Sequence, residues 1–451
     1  DAKSWLSVTE GALSSTVDIL TSMYANCVTG SSGYLTPDDR SAILADLLAL
    51  REELYAAGDA DYAGRSVFTG YRTGVSLSFQ ADTEIPYTIT EQLTQSAVDT
   101  FTYINTGDLF SSTGDTTEYD VAAYEIARIR LSYDDLEDSD TIPTIQVPTG
   151  TQDADGNDIL GPLQVNGGDV VSESVSIYDD PSPYELIATD PTYADKIIFV
   201  PETGEMLLGA DVKAAIEALP KTDEVRITYE KSNWEEGDLR PEHYFACEAE
   251  VAGQTIEYNL DRLLSTQAQL DITLQYISYD VGFNQSIRVN TLASECFTHD
   301  IGRDVDELIA ITQEALDMEE QIADMQRKLA SDLYTDAEKE DFQLRLDAME
   351  KAYEYIEDKC QKLYEANITN MQGYIDQANL AITNSGSRSA RVDLVESRLD
   401  TQQTTFTELK DDNEGVDITA LAINMESASL SYQAALLATS KIISNSLMNF
   451  I

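Results

Sequence analysis

The chain has 451 residues and is strongly acidic, with 82 Asp and Glu against 28 Lys and Arg and a formal net charge of −54. Nucleic acid and anionic membrane surfaces are therefore poor partners, because their own negative charge would repel the chain. A hydrophobic content of 42% can support two or three folded domains, and no run of about 18 apolar residues predicts a membrane-spanning segment.

The first part of the chain is predicted to be helical. Apolar residues recur three and four positions apart over residues 3–26, which favours a helix. A loop of Gly and Ser follows, and Thr36 before Pro37 indicates the capped start of a second helix that runs to Gly58. The short link predicts an antiparallel helical hairpin. Over 62–79 the pattern changes to alternation, which predicts a β-hairpin.

The middle of the chain, from about 84 to 290, is rich in β-branched residues, Gly, Pro and acids and predicts a β-rich insert. Strands are predicted at 124–133, 196–200, 225–229 and 244–251, with a short helix at 210–219. After His299 the pattern predicts two long helices, a break at 384–387 and a third helical stretch over 392–409.

These patterns predict an α+β fold in which a long helical rod, formed by both ends of the chain, carries an inserted β-rich domain. The predicted domains are the N-terminal half of the rod with its hairpin (1–83), the acidic β-rich insert (84–295), the C-terminal half of the rod (296–415) and a terminal coiled-coil helix (416–451).

The terminal segment carries the clearest functional signal. Among residues 416–451 the charged side chains are Asp417, Glu426 and Lys441, so the acidity of the chain is absent there. Ile423, Leu430 and Leu437 form a second apolar stripe, so one partner helix could not cover the whole segment. We therefore predict an assembly surface made by Ile418, Leu421, Met425, Ala428, Tyr432, Ala435, Ile442, Leu447 and Phe450.

Catalytic and metal motifs are weak by comparison. The four cysteines are widely spaced, which indicates buried thiols, and there are two histidines, His243 and His299. The segment DADGND at 153–158 has the alternation of a calcium loop but Gln164 at its twelfth position, and Cys296 with His299 has no second ligand pair nearby. No nucleophile, phosphate-loop or zinc-protease motif is present in the sequence. We expect no enzymatic activity, cofactor or metal.

Several stretches resemble the flagellar hook-associated protein 3 (FlgL) family of flagellin-like junction proteins. They are DAKSWLSVTEGALSSTVDIL at 1–20, LTPDDRSAILADLLALREEL at 35–54, YAGRSVFTGYRT at 62–73, SIRVNTLASECF at 286–297, SGSRSARVDLVESRL at 385–399 and LSYQAALLATSKIISNSLMNFI at 430–451. The motif residues that look like this family are Tyr62, Gly64, Arg65, Phe68, Gly70 and Tyr71. The GRSVFTGY turn and the SLMNFI tail look more like the junction protein than the filament subunit.

The resemblance implies an extracellular structural subunit of the bacterial flagellum, exported by the type III route without a cleaved signal peptide. Its implied partners are flagellin, hook-associated protein 1, further copies of itself in a ring, and an export chaperone. The family pattern starts several dozen residues before the position of Trp5, so an upstream helix that pairs with the terminal helix is expected from the family but not seen in this sequence.

Two alternatives remain open at the level of sequence. The first is a flagellin-type filament subunit, which would grow long filaments by itself. The second is a secreted acidic adhesin or calcium-binding surface protein, in which the insert would be the active part.

Overall fold

The computed structural model describes residues 2–110, 119–138, 142–154, 156–263, 275–282 and 285–448. The α-helices of this part of the chain are Ala2–Gly30 (α1), Pro37–Gly58 (α2), Pro183–Thr189 (α3), Ala210–Glu217 (α4), His299–Ala330 (α5), Asp336–Glu414 (α6) and Ile418–Met448 (α7). The predicted α+β class is confirmed, because long helices precede and follow a middle region made mostly of strands.

The strands of the described residues are short, and most belong to two sheets. They are Thr83–Leu93 (β1), Val98–Asn105 (β2), Ala122–Arg130 (β3), Ile145–Gln152 (β4), Asp158–Pro162 (β5), Gln164–Val165 (β6), Gly168–Asp169 (β7), Val171–Ser174 (β8), Lys196–Val200 (β9), Glu205–Leu208 (β10), Val225–Trp234 (β11), Ala246–Val251 (β12), Gln254–Tyr258 (β13), Ser278–Gly282 (β14) and Gln285–Arg288 (β15). The predicted strands at 196–200 and 225–229 are confirmed as β9 and the first half of β11.

The chain divides into two compact units, residues 1–389 and 390–451. The first contains the sheets, α1 to α5 and most of α6, and the second contains the end of α6 and all of α7. The domain boundaries predicted from the sequence, at 83, 295 and 415, stay predictions.

Helices that precede the sheets in the chain and helices that follow them share one core in the first unit. Leu13 of α1, Leu47 of α2, Val305 of α5 and Ile356 of α6 belong to one continuous cluster of buried apolar side chains. The start of α2 is fixed locally, because the Thr36 hydroxyl accepts from the Asp39 backbone N–H at 3.3 Å while the Asp39 carboxylate accepts from the Thr36 N–H at 3.0 Å. This reciprocal cap satisfies backbone donors that a helix start otherwise leaves free.

Two sheets enclose the second core. The six-stranded sheet has the order β13-β12-β1-β11-β4-β5 and the five-stranded sheet the order β2-β3-β10-β9-β8. Ile89 and Ile227 of the first sheet and Ile129 and Phe199 of the second belong to the same buried cluster. Strands β1 and β11 alternate between buried and more exposed residues, as burial of one face requires, whereas β9 and β10 are buried on both faces.

Arginines join the five-stranded sheet to α5. Arg128 of β3 is almost fully buried and pairs with Glu205 of β10 and, at 2.5 Å, with Glu307 of α5. Arg130 pairs with the same Glu307 at 2.9 Å and with Asp304. Two carboxylates of one helix thereby hold two arginines of one strand.

The β-hairpin predicted for 62–79 is wrong. In the described part of this segment there are isolated bridges, Asp61 to Ser66 and Ser78 to Leu239, in place of paired strands. Its backbone groups bond to distant partners instead: the Asp59 carboxylate accepts from the N–H of Leu77 at 2.8 Å and of Ser78 at 3.1 Å. Alternating polarity here reflects packing against other elements.

The predicted helix break at 384–387 is also wrong, because α6 continues through it to Glu414. The residues Asn384, Ser385 and Gly386 are poor helix formers, but each costs about 1 kcal/mol or less in a helix. Ala381 and Ser385 are buried one turn apart on this helix. Burial on that face outweighs the weak local propensity, and the stretch 392–409 belongs to the same helix.

Candidate functional site

The terminal helix α7 begins at a local cap. One carboxylate oxygen of Asp417 accepts from the backbone N–H of Thr419 at 2.8 Å and of Ala420 at 3.1 Å. These bonds lower the pKa of Asp417 below its usual value, because they stabilise the charged carboxylate. The preceding turn is closed by the Gly415 N–H, which donates to the Asp411 carbonyl at 2.6 Å.

The predicted assembly residues on α7 are exposed to solvent. Ile418, Met425 and Ile442 are 80%, 73% and 70% exposed, and Leu421, Ala428, Tyr432 and Ala435 are exposed as well. Leu447 and Phe450 lie outside the residues whose side chains are described. A helix with so many uncovered apolar side chains is typical of an interaction surface, although its role in assembly stays a prediction.

The two apolar stripes of α7 lie on nearly opposite faces. At about 100° per residue, the stripe through Ile423, Leu430 and Leu437 is turned by about 170° from the stripe through Ile418, Leu421 and their repeats. Ile423 and Leu437 are 62% and 66% exposed. One neighbouring helix can cover one stripe only, so complete burial of α7 needs at least two partner surfaces.

A further apolar seam was not included in the sequence-based site. Leu399, Phe406 and Leu409 near the end of α6 are 50%, 69% and 57% exposed. Together with Val392 and Val395 they recur three, four and seven residues apart, which is the spacing of a coiled-coil seam. That spacing was visible in the sequence, which predicted a helical stretch over 392–409 but no seam there.

The family-motif residues lie elsewhere and form a turn that links α2 to the segment before α5. Tyr62 and Arg65 exchange backbone hydrogen bonds at 2.9 and 3.2 Å around Gly64, whose φ is +75°. Phe68 is buried and packs edge-on against Phe297 at 5.0 Å between ring centroids, and its carbonyl accepts from the Ala293 N–H. This part of the motif is therefore structural.

Gly70 and Tyr71 complete the motif on its exposed side. Gly70 has a φ of +63°, and a Cβ there would lie 2.5 Å from the amide oxygen of Gln275. Tyr71 is 65% exposed, and its hydroxyl donates to the Tyr276 carbonyl at 2.9 Å. The structure brings the six motif residues together in one turn, but not with the residues of α7.

The weak metal motifs have partners within the fold. His299 is buried, and its Nε2 lies 2.7 Å from the Tyr133 hydroxyl. Cys296 is a buried free thiol. The Asp153 carboxylate accepts from the Asn157 N–H at 2.9 Å, and Asp155 is outside the described residues. Among the described residues, no three His, Cys, Asp or Glu side chains group as metal ligands, and no helix there is long and apolar enough to cross a membrane.

Comparison with known proteins gives one family match. The bacterial flagellin N-terminal helical region family matches residues 1–73. No curated protein matches the chain. Over these 73 residues the predicted likeness to flagellin-like proteins is confirmed. The match supports a structural component of the bacterial flagellum, an extracellular assembly.

Solved structures of junction proteins align along most of the chain, but poorly. FlgL from Xanthomonas campestris is 12% identical over 90% of this chain and 93% of its own, with a TM-score of 0.29. A flagellar hook-associated protein 3 from Legionella pneumophila is 11% identical over 90% and 93%, and the flagellar junction protein FlgL from the same organism is 11% identical over 84% and 92%, both with a TM-score of 0.20. TM-scores this low carry no argument, so the family likeness rests on residues 1–73.

Proposed function

Since its first 73 residues are a flagellin-type N-terminal helical region, we propose that this chain is a structural subunit of the flagellum that joins the hook-associated proteins to the filament through α7. The observation that carries this proposal is the exposed helix with apolar stripes on two faces. Its partners are hook-associated protein 1 on one side, flagellin on the other and copies of this chain within a ring.

The chemistry of α7 suits burial between subunits. Its charged side chains are Glu426 and Lys441, so little charge would have to leave water. Each large apolar side chain that becomes fully buried contributes about 1.5–3 kcal/mol to association. Head-to-tail contacts, in which two different surfaces of identical subunits meet, give rings or helical polymers. Export by the type III route without signal cleavage, with the help of an export chaperone, fits the same proposal.

The test replaces three apolar residues of one α7 stripe with aspartate. We expect the triple variant L421D/M425D/I442D to remain folded but to lose co-sedimentation with purified flagellin and hook-associated protein 1, because three carboxylates would have to be buried. The matched control places three acids at other exposed apolar positions, Tyr34, Tyr178 and Leu333. The control variant should assemble like the unchanged protein. Equal assembly by both variants would contradict the role of α7.

A filament subunit is the second candidate, because the matching family is named for flagellin. The two functions differ in what the purified protein does without partners. Growth of long filaments in electron micrographs would identify a filament subunit, whereas a junction subunit adds to existing ends and does not elongate. Incubation with and without flagellin seeds therefore separates the two.

A further inference from the structure

A cleft within the first unit of the chain is lined by strands β1 to β3 on one side and by α5 and α6 on the other. Its volume is about 890 Å3, in the range of protein ligand sites. Glu91 of β1 and Asp300 of α5 belong to its lining, as does Asn367 of α6. Three elements that are distant in the chain thus bring hydrogen-bond acceptors to one cleft.

The charges that line the cleft do not balance. Six carboxylate side chains and four basic side chains belong to the lining. Each basic side chain already has a carboxylate partner within 3.3 Å: Arg128 and Arg130 pair with Glu307, Lys359 with Glu314 and Lys362 with Asp358. Glu91 and Asp300, by contrast, have no basic partner among the residues that the structure describes. The uncompensated charge of the cleft is therefore negative and favours a cation as its ligand.

Glu91 is a buried carboxylate without a counter-ion. It is 2% exposed and accepts from the Tyr229 hydroxyl at 2.5 Å and from the Ser132 N–H at 2.9 Å. These neutral donors provide hydrogen bonds but do not balance the charge. Burial raises the pKa of Glu91 and the nearby charge of Asp300 adds to the increase, although the hydrogen bonds oppose it. A cation near both carboxylates would stabilise their ionised forms.

The α6 wall contributes a buried acceptor. Asn367 is 2% exposed; its side-chain N–H donates to the Leu363 carbonyl at 3.1 Å, and its carbonyl oxygen has no partner among the described residues. Because the amide nitrogen faces its own helix, the amide oxygen is directed away from it. Asn370 and Tyr374 lie on the same helix face and donate to Asp304 of α5 at 3.0 and 2.8 Å. An unpaired acceptor on this face is costly unless a ligand donates to it.

From the unbalanced charge and the unpaired acceptor together, we propose that the cleft binds the ammonium group of an organic amine through Glu91, Asp300 and the carbonyl oxygen of Asn367. An ammonium group carries one positive charge and three N–H donors, which matches these acceptors. The rings of Phe245 and Tyr374 also line the cleft, and aromatic rings attract organic cations. A metal ion fits less well, because no three acidic, His or Cys side chains of the described residues group as metal ligands. The amine is either a free small molecule or the lysine side chain of a partner protein.

Titration calorimetry with the full chain in about 0.15 M NaCl tests the proposal, because salt at this concentration screens attraction by distant charges. The probes are n-pentylamine, Nα-acetyl-lysine N-methylamide and, as the uncharged match, 1-pentanol. We expect saturable binding of pentylamine and no heat of binding from pentanol. Binding of the lysine amide as well would identify a lysine side chain as a possible source of the ammonium group, whereas its failure to bind would assign the site to small amines.

Matched variants locate the site. D300N should weaken amine binding about tenfold, the effect of losing one charged hydrogen-bond partner. D317N is the control, because it removes the same charge from an exposed position of α5, where Asp317 accepts from Gln313. N367A should also weaken binding. No saturation by the unchanged protein up to about 10 mM amine would overturn the proposal. Equal affinities of D300N and D317N, or an unchanged affinity of N367A, would also overturn it, because binding would then reflect the net charge of the chain.

Discussion

At the scale of single residues, the ionisation of His299 makes the stability of the fold depend on pH. Burial lowers the pKa of its imidazole to about 3, with Arg303 adding to the effect, and the ring contacts Tyr133 and Tyr244 edge-on. The folded protein therefore holds this ring neutral, while an unfolded chain protonates it near pH 6.5. The contribution of neutral His299 to the unfolding free energy is therefore fully present above pH 6.5 and falls as the pH drops towards 3.

This pH dependence is tested by comparing the unchanged protein with H299Q, whose side-chain amide can still donate to the Tyr133 hydroxyl. Between pH 7 and pH 5 the unchanged protein should lose about 2 kcal/mol of unfolding free energy relative to H299Q. The comparison is needed because Asp306, whose pKa burial raises to about 6, acts in the opposite direction. Urea unfolding at both pH values measures the difference, and parallel curves would show that His299 is protonated in the fold.

Two glycines of α1 give a second residue-scale prediction. A Cβ at Gly30 would lie 2.5 Å from the ring of buried Tyr364, whereas at Gly11 nothing lies within 4 Å. G30A should lower the unfolding free energy by about 1–3 kcal/mol through overpacking. G11A should raise it by about 0.5–1 kcal/mol, because alanine favours the helix more than glycine does. Thermal unfolding of both variants provides the measurement, and stabilisation by G30A would contradict the close packing.

At the scale of elements, the arginines of β3 hold the insert against α5. Burial by itself would raise the pKa of Glu307, but Arg128 and Arg130 outweigh it and lower the pKa below its usual value. The Glu307 carboxylate therefore contributes to the unfolding free energy above about pH 4.5, and this contribution is lost as the pH falls below that value.

E307Q leaves buried Arg128 and half-buried Arg130 without a shared partner. We expect a loss of about 3 kcal/mol in unfolding free energy, as for other broken buried pairs. D324N on the same helix is the control, since Asp324 pairs with Lys328 at the exposed surface and its loss should leave stability almost unchanged. Chemical denaturation of both variants distinguishes them, and equal losses would show that the network does not hold the two elements together.

The helices and central strands could be predicted because their periodicity reflects burial of one face. The turn at 62–79 could not, since Asp59 and Ala293 bond its backbone from outside the segment. The stripes of α7 were visible in the sequence, because apolar residues recur there on two faces of one predicted helix. The ion pair of Arg128 with Glu307 was not, because the two residues are 179 positions apart in the chain and nothing in either segment indicates the other.

At the scale of the whole molecule, the net charge of −54 predicts a strong salt dependence. Like charges repel over about 30 Å at 0.01 M salt but over about 8 Å at 0.15 M. The urea midpoint should therefore rise between 10 and 500 mM NaCl, about equally in NaCl and KCl. Trp5 in α1 and Trp234 in β11 report on the two cores by fluorescence. A falling midpoint would show that attractive pairs dominate over net repulsion.

The four cysteines have a practical consequence for labelling experiments on this protein. All are buried free thiols, and burial raises the pKa of Cys27 to about 12 and of Cys360 to about 11, so little nucleophilic thiolate forms at neutral pH. Maleimide dyes should therefore react very slowly with these four thiols. A cysteine introduced at exposed Ser431 would then accept a single label, without the need for a cysteine-free background.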